Sequence, residues 1–142
     1  MSGNDETTTS DDHARLAAIM IGSAVLHMVV PQVYETVVPP RFRDPRRVVH
    51  LSGLAELACG ALLLVPRTRR LGGLATAGLL VGVFPANVQM ALDAGTERQA
   101  IERMPAGLYR AAALARLPLQ APLVWWAVRV GQTSRGRRVD AR

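Results

Sequence analysis

Lysine is missing from this sequence: all seventeen basic residues are arginine, a bias that fits GC-rich coding better than any particular chemistry. Cysteine occurs once, at Cys59, which excludes an intrachain disulfide, a CxxC redox pair and a multi-cysteine metal site. Its apolar surroundings predict a small buried hydrophobe. Aromatic residues make up only 4% of the chain. A soluble core of this size usually draws on large aromatics for buried area. Small-residue packing instead suits helices that approach one another closely in lipid. No phosphate-binding glycine loop and no nucleophile–base–oxyanion constellation stands out, which leans away from an enzyme. One histidine and one glutamate within apolar runs fall short of a zinc or iron ligand set, so no metal site is expected.

What is present is a chain of 142 residues, enough for one domain, with 49% apolar residues and a net charge of +6. That charge raises a nucleic-acid surface as one reading. The distribution argues against it. Arginines gather in short groups between apolar runs: Arg41, Arg43, Arg46 and Arg47; Arg67, Arg69 and Arg70; Arg135, Arg137 and Arg138. Charges that fence hydrophobic segments are the expected flanks of membrane spans.

Residues 1–12, MSGNDETTTSDD, have the composition of a disordered acidic tail and lack the basic start of a signal peptide. Asp11 or Asp12 is placed to cap a following helix. The apolar runs then predict helices over about 14–31, 48–65, 70–92 and 106–130, with a basic disordered tail at 132–142. Pro39-Pro40 forbids a helix across the first connection, and Pro66 closes the second segment. The third run, Leu71 to Leu92, holds no formal charge and is the strongest transmembrane signal. Trp125-Trp126 near the end of the fourth fits an interfacial belt. The expectation is an all-α, four-helix transmembrane bundle running up-down-up-down. A small arginine excess favours both termini on the cytoplasmic side, although the first segment's own flanks favour the reverse.

Ionisable and amide residues inside spans are functional candidates by default and structural glue otherwise. Ser52, Glu56 and Gly60 follow i, i+4, i+8, which turns Glu56 toward another helix. Gly78 and Gly82 form a GxxxG spacing that predicts close helix contact, and Ala86 and Gln89 extend that face. Asn87 points elsewhere, and Pro85 cannot donate to the Val81 carbonyl, leaving an acceptor to satisfy. Arg116 and Gln120 lie one turn apart, as do Ser23 and His27. Rises of ~1.5 Å per residue put His27 ~6 Å, Asn87 ~8 Å, Glu56 ~12 Å and Arg116 ~15 Å below the end bearing the 31–47 and 93–105 connections. One polar cluster of His27, Glu56, Asn87, Gln89, Arg116 and Gln120 is therefore expected. Glu56–Arg116 is its natural ion pair, since pairing offsets the cost of a buried charge. That cluster serves as a lock between helices, as a ligand or redox-partner pocket, or as a proton path.

Three stretches together, GSAVLHMVVP, LSGLAELACGALLLVPRTRRLGGLATAGLLVGVFPANVQMALD and LARLPLQAPLVWWA, resemble the DoxX-like family of small bacterial membrane proteins. The resemblance spans roughly residues 14–131, with AELACG and LVPRTRRLGG its most specific parts. It implies a multi-pass protein of the bacterial inner membrane with both termini cytoplasmic, and places His27, Glu56 and Asn87 at motif positions. Some relatives are membrane subunits of thiosulfate:quinone oxidoreductase. The absence of a cysteine pair speaks against direct dithiol chemistry. Two readings follow. The first is a non-catalytic membrane protein whose polar cluster organises the bundle or binds a small apolar ligand. The alternative is an accessory subunit of a quinone-linked oxidoreductase, with quinone as the cofactor implied. The expected partners are the lipid bilayer and a redox enzyme or a second copy of the chain, and not nucleic acid.

Overall fold

The computed structural model describes residues 3–35, 38, 42–94 and 105–136. Their regular structure is entirely helical: α1 (Gly3–Val29), α2 (Gln32–Glu35), α3 (Pro45–Leu64), α4 (Arg69–Asp93) and α5 (Ala106–Gly136). Four of these are long, and their places follow the four apolar runs. α1 starts earlier than expected. From Gly3 onward the segment expected as a disordered tail is helical, and Asp11 and Asp12 lie inside α1 rather than at its cap. α5 likewise continues to Gly136, into the expected basic tail, whose last residues 137–142 lie outside the described residues.

The connections obey local chemistry. Pro31 cannot donate a backbone hydrogen bond, so α1 ends at Val29 and the chain turns. Tyr34 and Glu35 then donate to the Pro31 carbonyl at 2.9 and 3.0 Å, which folds α2 out of the expected connection. Pro45 opens α3 as a first-turn proline, and the Asp44 carboxylate caps it by accepting from the Arg47 amide at 3.1 Å. Between α3 and α4, the Thr68 hydroxyl donates to the Leu62 carbonyl at 2.9 Å, tying off an end of α3 that Pro66 stops.

Close packing of the long helices rests on glycine. A Cβ on Gly53 would lie 2.9 Å from His27 Cβ, and one on Gly60 would lie 2.6 Å from Ile21 Cγ1. Those contacts run in opposite sequence order, so α1 and α3 are antiparallel. On the other side, a Cβ on Gly73 would fall 2.6 Å from the Gly131 amide nitrogen and 2.8 Å from the Ala127 carbonyl. α4 and α5 are therefore an antiparallel pair in backbone contact. These two pairs share the largest interhelical surfaces, and α3 against α4 joins them. The main apolar cluster takes Leu16 and Met20 from α1, Leu63 from α3, Ala77 from α4, and Ala127 and Val130 from α5. Cys59 is buried in it as a free thiol, as its apolar context predicts.

The GxxxG face behaves differently from expectation. Gly78 and Gly82 are exposed, and a Cβ on either meets nothing within 4 Å. Close contact falls instead on Gly72 and Gly73, one and a half turns earlier, where α4 is pressed by the α3 end and by α5. Spacing identifies a face that permits close approach; only the neighbouring helix decides whether the approach is made.

Large aliphatic side chains are exposed on all four long helices. Val25 and Leu26 on α1, Leu51 and Leu54 on α3, Leu71 and Val81 on α4, and Leu114 and Leu119 on α5 are all exposed. Among the described residues α3 and α4 are long and apolar enough to cross a membrane. The tryptophan pair divides: Trp126 packs against the apolar cluster, while exposed Trp125 carries the Arg129 guanidinium 4.7 Å from its ring centroid.

Gly73→Ala is expected to destabilise the chain by about 1–3 kcal/mol, because backbone atoms must move to admit the methyl group. Gly78→Ala is expected to be neutral, or stabilising by up to about 0.5–1 kcal/mol through helix propensity. Thermal unfolding of the two variants beside the parent chain distinguishes them.

Candidate functional site

The polar side chains expected in one cluster form two separate pairs. The first joins α1 to α3. Because Gly53 lets α1 approach, His27 meets Glu56 across the interface, with His27 Nδ1 3.2 Å from Glu56 Oε2. Both residues are only 8% exposed. The same nitrogen lies 2.9 Å from the Ser23 carbonyl oxygen, one turn back on α1. A carbonyl oxygen only accepts, so Nδ1 carries hydrogen and donates to it. One hydrogen on one nitrogen serves one acceptor well. Glu56 Oε2 is accordingly enclosed with no hydrogen bond of its own. Tyr34 closes the site from α2, its ring stacked on the imidazole at 4.0 Å between centroids and 18° between planes. Arg46 on α3 sits 3.7 Å from Glu35, holding α2 over the site.

The second pair joins α4 to α5. Asn87 Nδ2 donates to Gln120 Oε1 at 2.9 Å, and Gln120 Nε2 donates to the Leu80 carbonyl. Gln120 is 4% exposed, so its amide is satisfied on both sides inside the protein. Pro85 lies inside α4 and cannot donate to the carbonyl of Val81. The residue expected to need a partner was Val81. The carbonyl that receives one is its neighbour, Leu80.

Two further members of the expected cluster lie elsewhere. Gln89 Nε2 donates to Asp93 within α4 at 3.1 Å, a local i, i+4 bond rather than an interhelical one. Arg116 is exposed, and no ion pair within 4.0 Å joins it to Glu56. The expected Glu56–Arg116 pair is thus replaced by Glu56–His27. Helix pairing explains the exchange. Glu56 shares the α3 face with Gly53 and Gly60, and that face is packed on α1.

Sequence reading missed Tyr34, which it left in a connection. The signal was available: a proline followed by an aromatic three residues later, just after an apolar run, fits a chain folding back on itself. It also chose Ser52 rather than Gly53 for the contact face, an error of one position on α3. Ser23 participates as expected, but through its backbone carbonyl. Among the described residues no group of three or more His, Cys, Asp or Glu side chains is arranged to hold a metal ion.

The chain belongs to the family described as Domain of unknown function (DUF8561), whose model matches residues 16–131. All six residues of the expected cluster fall inside that match. No curated protein and no solved structure matches the chain.

Gln120→Leu strands the Asn87 amide and the Leu80 carbonyl together, and is expected to cost about 1–3 kcal/mol. Combining it with Asn87→Leu removes both members of the side-chain bond, so the double variant should fall well short of the sum of the singles. Equilibrium unfolding of the four proteins measures that coupling, and additive losses would show that the pair contributes nothing jointly.

Proposed function

We propose that this chain is an integral membrane protein of the bacterial inner membrane: a four-helix bundle whose interior polar pairs organise the helices and give it a site for a small apolar ligand. The observation that carries this reading is the inverted distribution of side chains. Large aliphatic residues are exposed on all four long helices, while His27, Glu56, Thr76 and Gln120 are buried within. Water penalises the first arrangement and lipid favours it. Helix length supports the same setting. α3 spans ~30 Å at the usual rise per residue, which is the thickness of a hydrocarbon core. The other long helices exceed it.

Lipid also accounts for why two pairs of interior groups join across helices. An amide or carboxylate without a partner costs several kcal/mol in hydrocarbon, so Asn87 with Gln120 and His27 with Glu56 fasten one helix to another. Four passes return the C-terminus to the side of the N-terminus. Arginines of the α3–α4 turn fall on that side, which favours a cytoplasmic location for both ends. The DoxX-like resemblance supports this topology. The alternative role, as an accessory subunit of a quinone-linked oxidoreductase, draws on the resemblance alone.

Expressed in a bacterium, the chain is expected to remain in the membrane pellet through alkaline carbonate extraction. A fluorescent reporter fused to either end should be active in the cytoplasm, and a periplasm-dependent phosphatase fused to either end should be inactive. Release into the carbonate supernatant would overturn the membrane reading. Phosphatase activity at one end would overturn the topology.

A further inference from the structure

Gln120 of α5 holds α4 on both sides of a proline. Its Nε2 donates to the Leu80 carbonyl and its Oε1 accepts from Asn87 Nδ2 at 2.9 Å, while Pro85 lies between those two residues of α4. α5 is interrupted at the same level, because Gln120 sits midway between Pro118 and Pro122. Each proline lacks the hydrogen its helix would use: Pro85 toward Val81, Pro118 toward Leu114 and Pro122 toward Pro118. Ladder bonds are therefore missing from both helices beside the one side chain that links them. Helices bend at such places more easily than elsewhere.

Packing divides along the same line. On one side of it α4 buries Gly72, Gly73, Thr76 and Ala77, and Gly73 meets the α5 backbone. After Ala77 no α4 residue is buried, and a Cβ on Gly78 or Gly82 would meet nothing within 4 Å. On the far side of the prolines, Met90, Ala91 and Ala94 pack with Tyr109 and Ala113 in an apolar cluster separate from the main core. That cluster ties the far halves of α4 and α5 to each other. We propose that Pro85, Pro118 and Pro122 form one hinge through the α4–α5 hairpin, with Gln120 as its latch. The halves carrying Met90 and Tyr109 swing as a unit, while the halves meeting at Gly73 and Gly131 stay fixed in the core. The two bonds of Gln120 span the bend in α4 and set its angle. Leu108 lies ten residues before Pro118. That is ~15 Å of helix, so a bend of ~20° at the prolines moves it by ~5 Å. The hinge follows from helix mechanics and stands apart from the membrane reading.

The test uses the full chain in phosphatidylcholine nanodiscs, with Cys59→Ala removing the native thiol and spin labels on introduced cysteine pairs. One pair, Leu51→Cys with Leu108→Cys, spans α3 and the moving half of α5 at exposed positions. The control pair, Leu64→Cys with Gln132→Cys, spans α3 and the fixed half, also at exposed positions. Double electron–electron resonance is expected to give a broader distance distribution for the first pair than for the control, by ~5 Å. Gln120→Leu should redistribute the first pair over that range and leave the control in place. Pro85→Ala, Pro118→Ala and Pro122→Ala together restore the missing donors and should narrow the first pair to a single distance. Equal widths for the two pairs in the parent chain would overturn the hinge, as would a first pair that the proline substitutions leave unchanged. Both comparisons stand even where Gln120→Leu fails to fold. A folded Gln120→Leu variant with an unaltered first pair would overturn the latch. A chain that fails to enter nanodiscs counts against the membrane reading alone, and the same two pairs then read the hinge in detergent.

Discussion

Gly73 and Gly131 meet so closely that a methyl group on the first would collide with the backbone of the second. Gly53 and Gly60 perform the same service between α3 and α1. Helices separated by ordinary side chains lie about 8–10 Å apart, with those side chains filling the space between the backbones. Contact at glycine brings the backbones nearer and fixes which faces meet. His27 reaches Glu56 because Gly53 admits the His27 Cβ itself. The rest of the interior follows from which helix faces are pressed together in this way.

The two polar pairs solve related problems by different means. Asn87 and Gln120 form a neutral, satisfied link, and Gln120 additionally serves the Leu80 carbonyl where Pro85 interrupts α4. That arrangement is complete and reads as structural. His27 and Glu56 are incomplete: two partners compete for one hydrogen, and a carboxylate oxygen is left over. A purely structural lock gains nothing from such an omission, since an apolar pair of similar volume would pack as well without the desolvation cost. The two pairs therefore differ in how completely their hydrogen-bonding groups are matched.

Where the candidate residues lie was partly legible. His27, Glu56, Asn87 and Gln120 were recognisable as hydrogen-bonding groups in apolar runs, and all but Asn87 are buried. Their partners were not legible. Depth along a helix can be counted at a fixed rise per residue, so residues at similar depth are natural candidates for one cluster. The angle around the helix and the choice of neighbour cannot be counted in that way. Gln89 shows the consequence: it lies two residues from Asn87, yet it bonds along its own helix.

By itself the sequence determined the four long helices and the breaks at Pro31 and Pro66, because these follow from backbone chemistry and composition. It also determined that any buried polar group would need a partner. Tertiary structure alone decided that Glu56 faces His27 rather than Arg116, that Gly73 and not Gly78 bears the close contact, and that Tyr34 returns to cover the imidazole. Each of these depends on the rotation of one helix against another. That rotation is set by all the contacts along an interface at once, and no local pattern of residues encodes it.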